Sequence, residues 1–204
     1  MTPNKVISTD LLVRFLHLVL ILSFAGAYLT GEEEEWHHVH MAFGYTLAIA
    51  LTLRILWQFF APRFAHTQPS GEGRRFHIIK QFVQRHWAQP RSWFSATFLK
   101  SVTSSLFQLS ILGLFCVIPL TVLAGYLTDY THSHILEEVH ELFANLLLAS
   151  VLLHLAVLIL NSVALKKLLA KRMFWGHESH SWFTLFSLIL SLGVLLTFWF
   201  WYFN

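Results

Sequence analysis

Residues 137–161 read EEVHELFANLLLASVLLHLAVLILN, an apolar run long enough to cross a bilayer that nevertheless carries two histidines, His140 and His154. His154 follows His140 by fourteen residues. At 3.6 residues per turn this interval falls about 40° short of four full turns, so both imidazoles leave one face of a helix, roughly 21 Å apart along its axis. Two more histidines occupy apolar segments, His17 in VRFLHLVLILSF and His40 in HMAFGYTLAIAL. Ionisable side chains inside membrane spans are rare, costly and functional by default. A lone histidine there commonly serves as hydrogen-bond glue between helices. Four of them suit a further chemistry, because neutral imidazole is a ligand for metals and for haem iron.

Such side chains have to be positioned by helices in a bilayer. The 204 residues are 55% hydrophobic and only 12% charged, with a mean hydropathy of +0.56. Soluble domains carry about 25% charged residues, so the composition predicts an all-α, polytopic membrane protein. Spans are expected at about 11–30, 38–60, 106–128, 136–165 and 182–203. Pro119 predicts a kink in the third, and the terminal FWFWYF suits an aromatic belt at the membrane surface. The N-terminal MTPNKVISTD is not followed by a small-residue cleavage site, so the first apolar segment reads as a retained span. The single cysteine, Cys116, excludes a disulfide framework, a cysteine-based zinc or iron–sulfur site, and covalent C-x-x-C-H haem attachment.

Orientation follows from the basic residues. Lys5 and Arg14 precede or open the first span; seven Lys and Arg residues lie between spans two and three, and Lys166, Lys167, Lys171 and Arg172 between four and five. The connections GEEEEWHH and DYTHSHILEE contain no Lys or Arg. By the positive-inside rule the N-terminus is cytoplasmic and the C-terminus external. The pI near 9.2 therefore reflects membrane orientation and gives no reason to invoke nucleic acid.

With the topology fixed, the histidines sort by depth into an outer pair, His40 with His140, and an inner pair, His17 with His154. Two facing imidazoles at each of two depths are what two haems b need, and a second axial histidine leaves no open position for O₂. Arg54 follows His40 by fourteen residues and so shares its face at the inner level, while Arg14 lies one turn before His17. Both guanidinium groups can pair with propionates of an inner haem, or snorkel to headgroups. Gly44, one turn after His40, removes a side chain where a flat macrocycle would pack, or permits close helix packing. The remaining outer histidines, His37, His38, His132 and His134, read as solvated loop residues, with zinc binding as the alternative. The long inner connection, 61–105, contains RRFHIIKQFVQRHW, whose Phe76, Ile79 and Val83 share one helical face and suit a short helix lying on the anionic inner leaflet.

VRFLHLVLILSFAGAYLTGE, HMAFGYTLAIALTLRILWQFFAPRFA and VHELFANLLLASVLLHLAVLIL resemble the bacterial cytochrome b561 family, which includes the b-type cytochrome subunits of nickel–iron hydrogenases. The likeness spans roughly 10–66 and 136–175 and rests on Arg14-x-x-His17, His40-x-x-x-Gly44-Tyr45, Arg54-x-x-Trp57, and His140-Glu141 with His154. It implies a four-helix core in which His17, His40, His140 and His154 are axial ligands of two haems b, passing electrons between a partner and membrane quinone. The third span departs from relatives, whose His-Asn-Pro type opening is replaced by KSVTSSLFQLS, and a fifth span is appended.

The expected organisation is therefore a four-helix cytochrome b domain over 1–165, containing the inner loop, and a basic connection with an additional helix over 166–204. The expected function is electron transfer in the bacterial inner membrane between quinone and a periplasmic redox protein or a dehydrogenase- or hydrogenase-type subunit, with no catalytic side chain identified. The aromatic end of the fifth span suits packing against such a subunit or a second copy. Two other readings stand beside it: a superoxide:quinone oxidoreductase acting alone, and a metal-handling membrane protein built on the outer histidines.

Overall fold

The computed structural model describes residues 10–64, 96–164 and 182–204, except for the side chains of 61–64, 96–101, 104 and 164. Five long helices account for nearly all of them: α1 (Leu11–Thr30), α2 (His37–Phe64), α3 (Ala96–Thr131), α4 (His134–Ala164) and α5 (Trp182–Phe203). A single 3₁₀ turn, Glu34–Trp36, leads into α2. Each of the five is long and apolar enough to cross a membrane, at the positions the sequence predicts. The physical reason is the absence of water in the bilayer core, which forces every N–H and C=O to be satisfied within its own segment. Serine and threonine obey the same rule by bonding back one turn, as in Thr46 to the Ala42 carbonyl and Ser162 to the Leu158 carbonyl.

Helix ends differ from the sequence reading at the long connection. α2 continues to Phe64 with Pro62 in its last turn, where the expected loop opens at 61, and α3 begins at Ala96. A proline so close to a helix end costs one ladder bond and few residues of helix beyond it, so the turn survives. α3 also runs unbroken through Pro119. The expected surface helix around 74–87 lies outside the described residues.

The chain forms two compact units, Met1–Pro69 with Lys171–Asn204, and Ser70–Ala170. In the first, α1 and α2 form an antiparallel hairpin onto which α5 packs. Lipid tails are as apolar as leucine, so close packing and polar contacts hold these helices together rather than water exclusion. Leu12, Val13, Leu16, Ala50 and Trp57 form the packed centre, with Phe183 and Leu188 of α5 against it. Trp57 stacks on Phe183 at 5.5 Å, and at the other end Trp199 donates to the Thr46 hydroxyl at 2.9 Å. In the second unit α3 and α4 form another antiparallel hairpin. Its connection is only His132–Ser133, with His132 in the left-handed region at φ 51° and its N–H on the Thr128 carbonyl.

Polar contacts fix the register of each hairpin. In α1–α2, Trp57 Nε1 donates to Asp10 Oδ2 at 3.1 Å and His40 Nδ1 meets the Ala27 carbonyl at 2.8 Å; from one pair to the other α1 advances seventeen residues and α2 retreats seventeen. In α3–α4, Asn161 donates to the Thr103 carbonyl at 3.0 Å, Ser110 pairs with His154 at 3.1 Å, and Thr121 donates to the Phe143 carbonyl at 3.2 Å. Here too the steps match, seven residues and then eleven on both helices.

Asp10 ties three helices, because Thr184 of α5 also hydrogen-bonds its carboxyl. Burial raises the Asp10 pKa above the ordinary 3.8, with the bonds from Trp57 and Thr184 partly offsetting it. A carboxyl bound more tightly to its proton in the folded state contributes most stability below its ordinary pKa and loses it as pH rises through the raised value. Asp10→Asn keeps an acceptor for Trp57 without the charge. Thermal unfolding in detergent is expected to show the wild type losing stability relative to Asp10→Asn as pH rises from 4 upward, with the two converging at the acid end.

Candidate haem-ligand sites

His40 lies in the first turn of α2, opposite the last turn of α1. Its Nδ1 is 2.8 Å from the Ala27 carbonyl oxygen. A carbonyl can only accept, so Nδ1 carries the proton and the neutral ring presents its lone pair at Nε2. Ala27 is among the last four residues of α1, whose carbonyls lack a partner from the next turn and sit at the negative end of the helix dipole. That helix end is therefore a natural acceptor for an imidazole N–H.

His140 repeats the arrangement on the other hairpin. Its Nδ1 is 3.0 Å from the Thr121 carbonyl, which again makes Nδ1 the donor and Nε2 the lone-pair nitrogen. The ring lies over Gly125, where a Cβ would stand 2.9 Å from Cε1 and 3.0 Å from Nδ1. Real Cβ atoms do not come that close, so glycine is what allows the ring to reach the carbonyl.

His154, half-buried and fourteen residues further along α4, meets a side chain instead. Its Nδ1 is 3.1 Å from Ser110 Oγ, and Ser110 Oγ is 2.8 Å from the Phe107 carbonyl. The serine proton is committed to that carbonyl, so the imidazole donates and the hydroxyl oxygen accepts. The Phe107 ring stacks on His154 with centroids 5.2 Å apart and planes 24° from parallel.

Three of the four predicted ligands thus share one tautomer, with Nδ1–H held by an acceptor on the neighbouring helix. These are interhelical bonds, as the simple glue reading expects, and each is made through Nδ1. Metal-ligating histidines characteristically donate their second N–H in just this way, which orients the ring and raises the basicity of the ligating nitrogen.

His17 is half-buried on α1, and the hairpin register puts Ala50, fully buried, at its level on α2. The same register brings Arg14 and Arg54 to one level, within a single residue of each other. Both are half-buried, about 4.5 Å along the axis from His17 on its Asp10 side. Two guanidinium groups at one depth suit a pair of carboxylates. Nothing lies within 4 Å of the position a Cβ would take at Gly44, so the space a flat ring would need is open there. His17, His40, Arg14, Arg54 and Gly44 belong to the first compact unit, and His140 and His154 to the second.

The outer histidines are differently placed. His37 and His38 are exposed and meet edge to face at 6.1 Å, and His134 pairs with Glu138 at 3.4 Å, both largely in solvent. His132 is exposed and turns the chain. Among the described residues no group of three or more His, Cys, Asp or Glu is placed to hold a metal ion.

Gly125 gives a direct test of the His140 geometry. Gly125→Ala is expected to push the ring off the Thr121 carbonyl and to lower the haem bound per chain. Gly193→Ala, on α5 where nothing lies within 4 Å, is expected to leave it unchanged. The readout is haem-to-protein ratio in the purified variants.

Residues 8–176 match the family described as prokaryotic cytochrome b561. No curated protein matches the chain, and no solved structure does. The matched region contains all four membrane histidines, both arginines and the hairpins that position them, and four of the five membrane-length helices lie in it. The chain belongs to the prokaryotic cytochrome b561 family and is a multi-pass b-type electron-transfer cytochrome of the bacterial inner membrane.

Proposed function

We propose that the protein holds two haems b, the outer between His40 and His140 and the inner between His17 and His154, and carries electrons between a periplasmic-side redox partner and membrane quinone. The observation that carries this reading is the shared anchoring of His40, His140 and His154, each held through Nδ1 by the neighbouring helix, the geometry in which Nε2 is the nitrogen turned to a metal. Bound haem b supplies a one-electron iron couple. The neighbouring helices anchor the imidazoles at Nδ1, and two histidines for each haem would hold the iron and leave oxygen no site on it.

Intervals within each hairpin support the pairing. On α1–α2 the His40 level is ten residues from His17, about 15 Å, and on α4 the two histidines are fourteen residues apart, about 21 Å. Side chains lean toward the N-terminus of their helix. His17 and His40, on antiparallel helices, therefore lean apart and widen their interval, while His140 and His154 lean the same way and keep theirs. Arg14 and Arg54 are assigned to inner-haem propionates, and Gly44 to the face of the outer macrocycle. Residues 1–165 form the haem-carrying part on this reading, and 166–204 an addition that suits a dehydrogenase- or hydrogenase-type subunit or a second copy.

A superoxide:quinone oxidoreductase is less well supported. Glu32, Glu33, Glu34 and Glu35 are all exposed, as are Glu137, Glu138 and Glu141, and this acidic rim repels an anionic substrate.

Single His→Ala variants test the ligand set. His17→Ala and His154→Ala are expected to remove the same haem and leave the other spectrally intact, while His40→Ala and His140→Ala remove the second. Redox titration of the α band in each purified variant resolves the two. Loss of both haems, or of neither, from any one substitution contradicts the pairing. In liposomes containing quinol, the wild type is expected to become haem-reduced and each single-haem variant to pass fewer electrons to an external acceptor.

A further inference from the structure

We propose that Ser110 is a positioning residue that sets the redox potential of the inner haem through His154, an inference that rests on His154 being a ligand. The three anchored histidines do not have equivalent acceptors. His40 and His140 give their Nδ1 protons to main-chain carbonyls. His154 gives its proton to a side-chain hydroxyl, 3.1 Å away and 3% exposed.

The direction of that bond follows from the serine's other contact. With Ser110 Oγ–H given to the Phe107 carbonyl at 2.8 Å, the oxygen accepts from the imidazole. Donation into the carbonyl also polarises Oγ and makes it a better acceptor. The same Phe107 supplies the ring that stacks on His154. One helical turn of α3 thus fixes the tautomer, the plane and the electron density of this imidazole.

The chemical consequence is on Nε2. An N–H···O bond at Nδ1 gives the ring partial imidazolate character, strengthens donation from Nε2 to iron and favours the oxidised metal. Removing the acceptor weakens that donation and leaves a buried N–H without a partner. The inner haem then becomes easier to reduce. Because the acceptor is a side chain, this potential can be adjusted by substitution, unlike one set by a main-chain carbonyl. Ser110 closes the stretch KSVTSSLFQLS, which leads into the apolar part of α3.

Spectroelectrochemical titration of the full-length protein in detergent tests the proposal, with the outer haem as internal reference. Ser110→Ala is expected to raise the midpoint potential of one haem only and to shift its low-spin electron paramagnetic resonance signal. Ser110→Thr, which retains a hydroxyl on the same carbon, is expected to restore both values. Ser110→Asp, a stronger acceptor, is expected to move the same potential downward. An inner-haem potential unmoved in Ser110→Ala, or moved equally in Ser110→Thr, overturns the assignment, as does a parallel shift of both haems. His154→Ala keeps the two claims separable. If it leaves both haems in place the ligand reading fails, whereas loss of one haem there with no shift in Ser110→Ala removes the role of Ser110 alone.

Discussion

An imidazole N–H inside a bilayer has no water to donate to, and that single constraint organises the polar interior of this protein. Each anchored histidine is neutral with one proton to place, and the neighbouring helix places it. The α1 end offers an orphan carbonyl, α3 offers a carbonyl uncovered by a glycine, and a serine one hairpin level further in offers a hydroxyl. Satisfying the proton at Nδ1 determines the chemistry at Nε2, so on the proposed function the bonds that stabilise these histidines in the membrane would also ready them for iron.

Those bonds also set the register of the helices. Apolar side chains in lipid slide past one another at little cost, because there is no hydrophobic penalty to define alignment. Polar contacts do define it: the two α1–α2 bonds share one offset, as do the Asn161–Thr103, His154–Ser110 and Thr121–Phe143 bonds of α3–α4. The Asp10–Trp57 bond at one end of α1–α2 and the His40–Ala27 bond at the other bring Arg14 and Arg54 to a common depth beside His17. The α3–α4 offset, set by a two-residue connection with His132 in a left-handed conformation, brings Ser110 level with His154. A shift of one residue in either hairpin would rotate the small residue away from its histidine by about 100°.

Much of this was legible in the sequence. Helix number and position follow from hydropathy, since a bilayer admits few alternatives to a helix about twenty residues long. The fourteen-residue interval of His140 and His154 and the one-turn spacing of Arg14 and His17 are properties of a single helix, readable by counting. What counting could not reach are contacts between helices. The Ala27 and Thr121 carbonyls carry no residue signal, because every residue has one. Gly125 and Ser110 look like ordinary small residues of a membrane helix until the register sets them opposite His140 and His154. The packing of α5 on α1 and α2 was likewise hidden, because its anchors, Thr184 and Trp199, resemble interfacial residues of any terminal span.

The proposed function requires two haems held without covalent attachment by four histidines. The most direct measurement is a pyridine haemochrome assay on the purified protein, set beside its dithionite-reduced minus oxidised spectrum. About two haems b per chain with a sharp low-spin α band is the result expected. One haem per chain would leave a histidine pair as structure alone, and no haem would contradict the central claim.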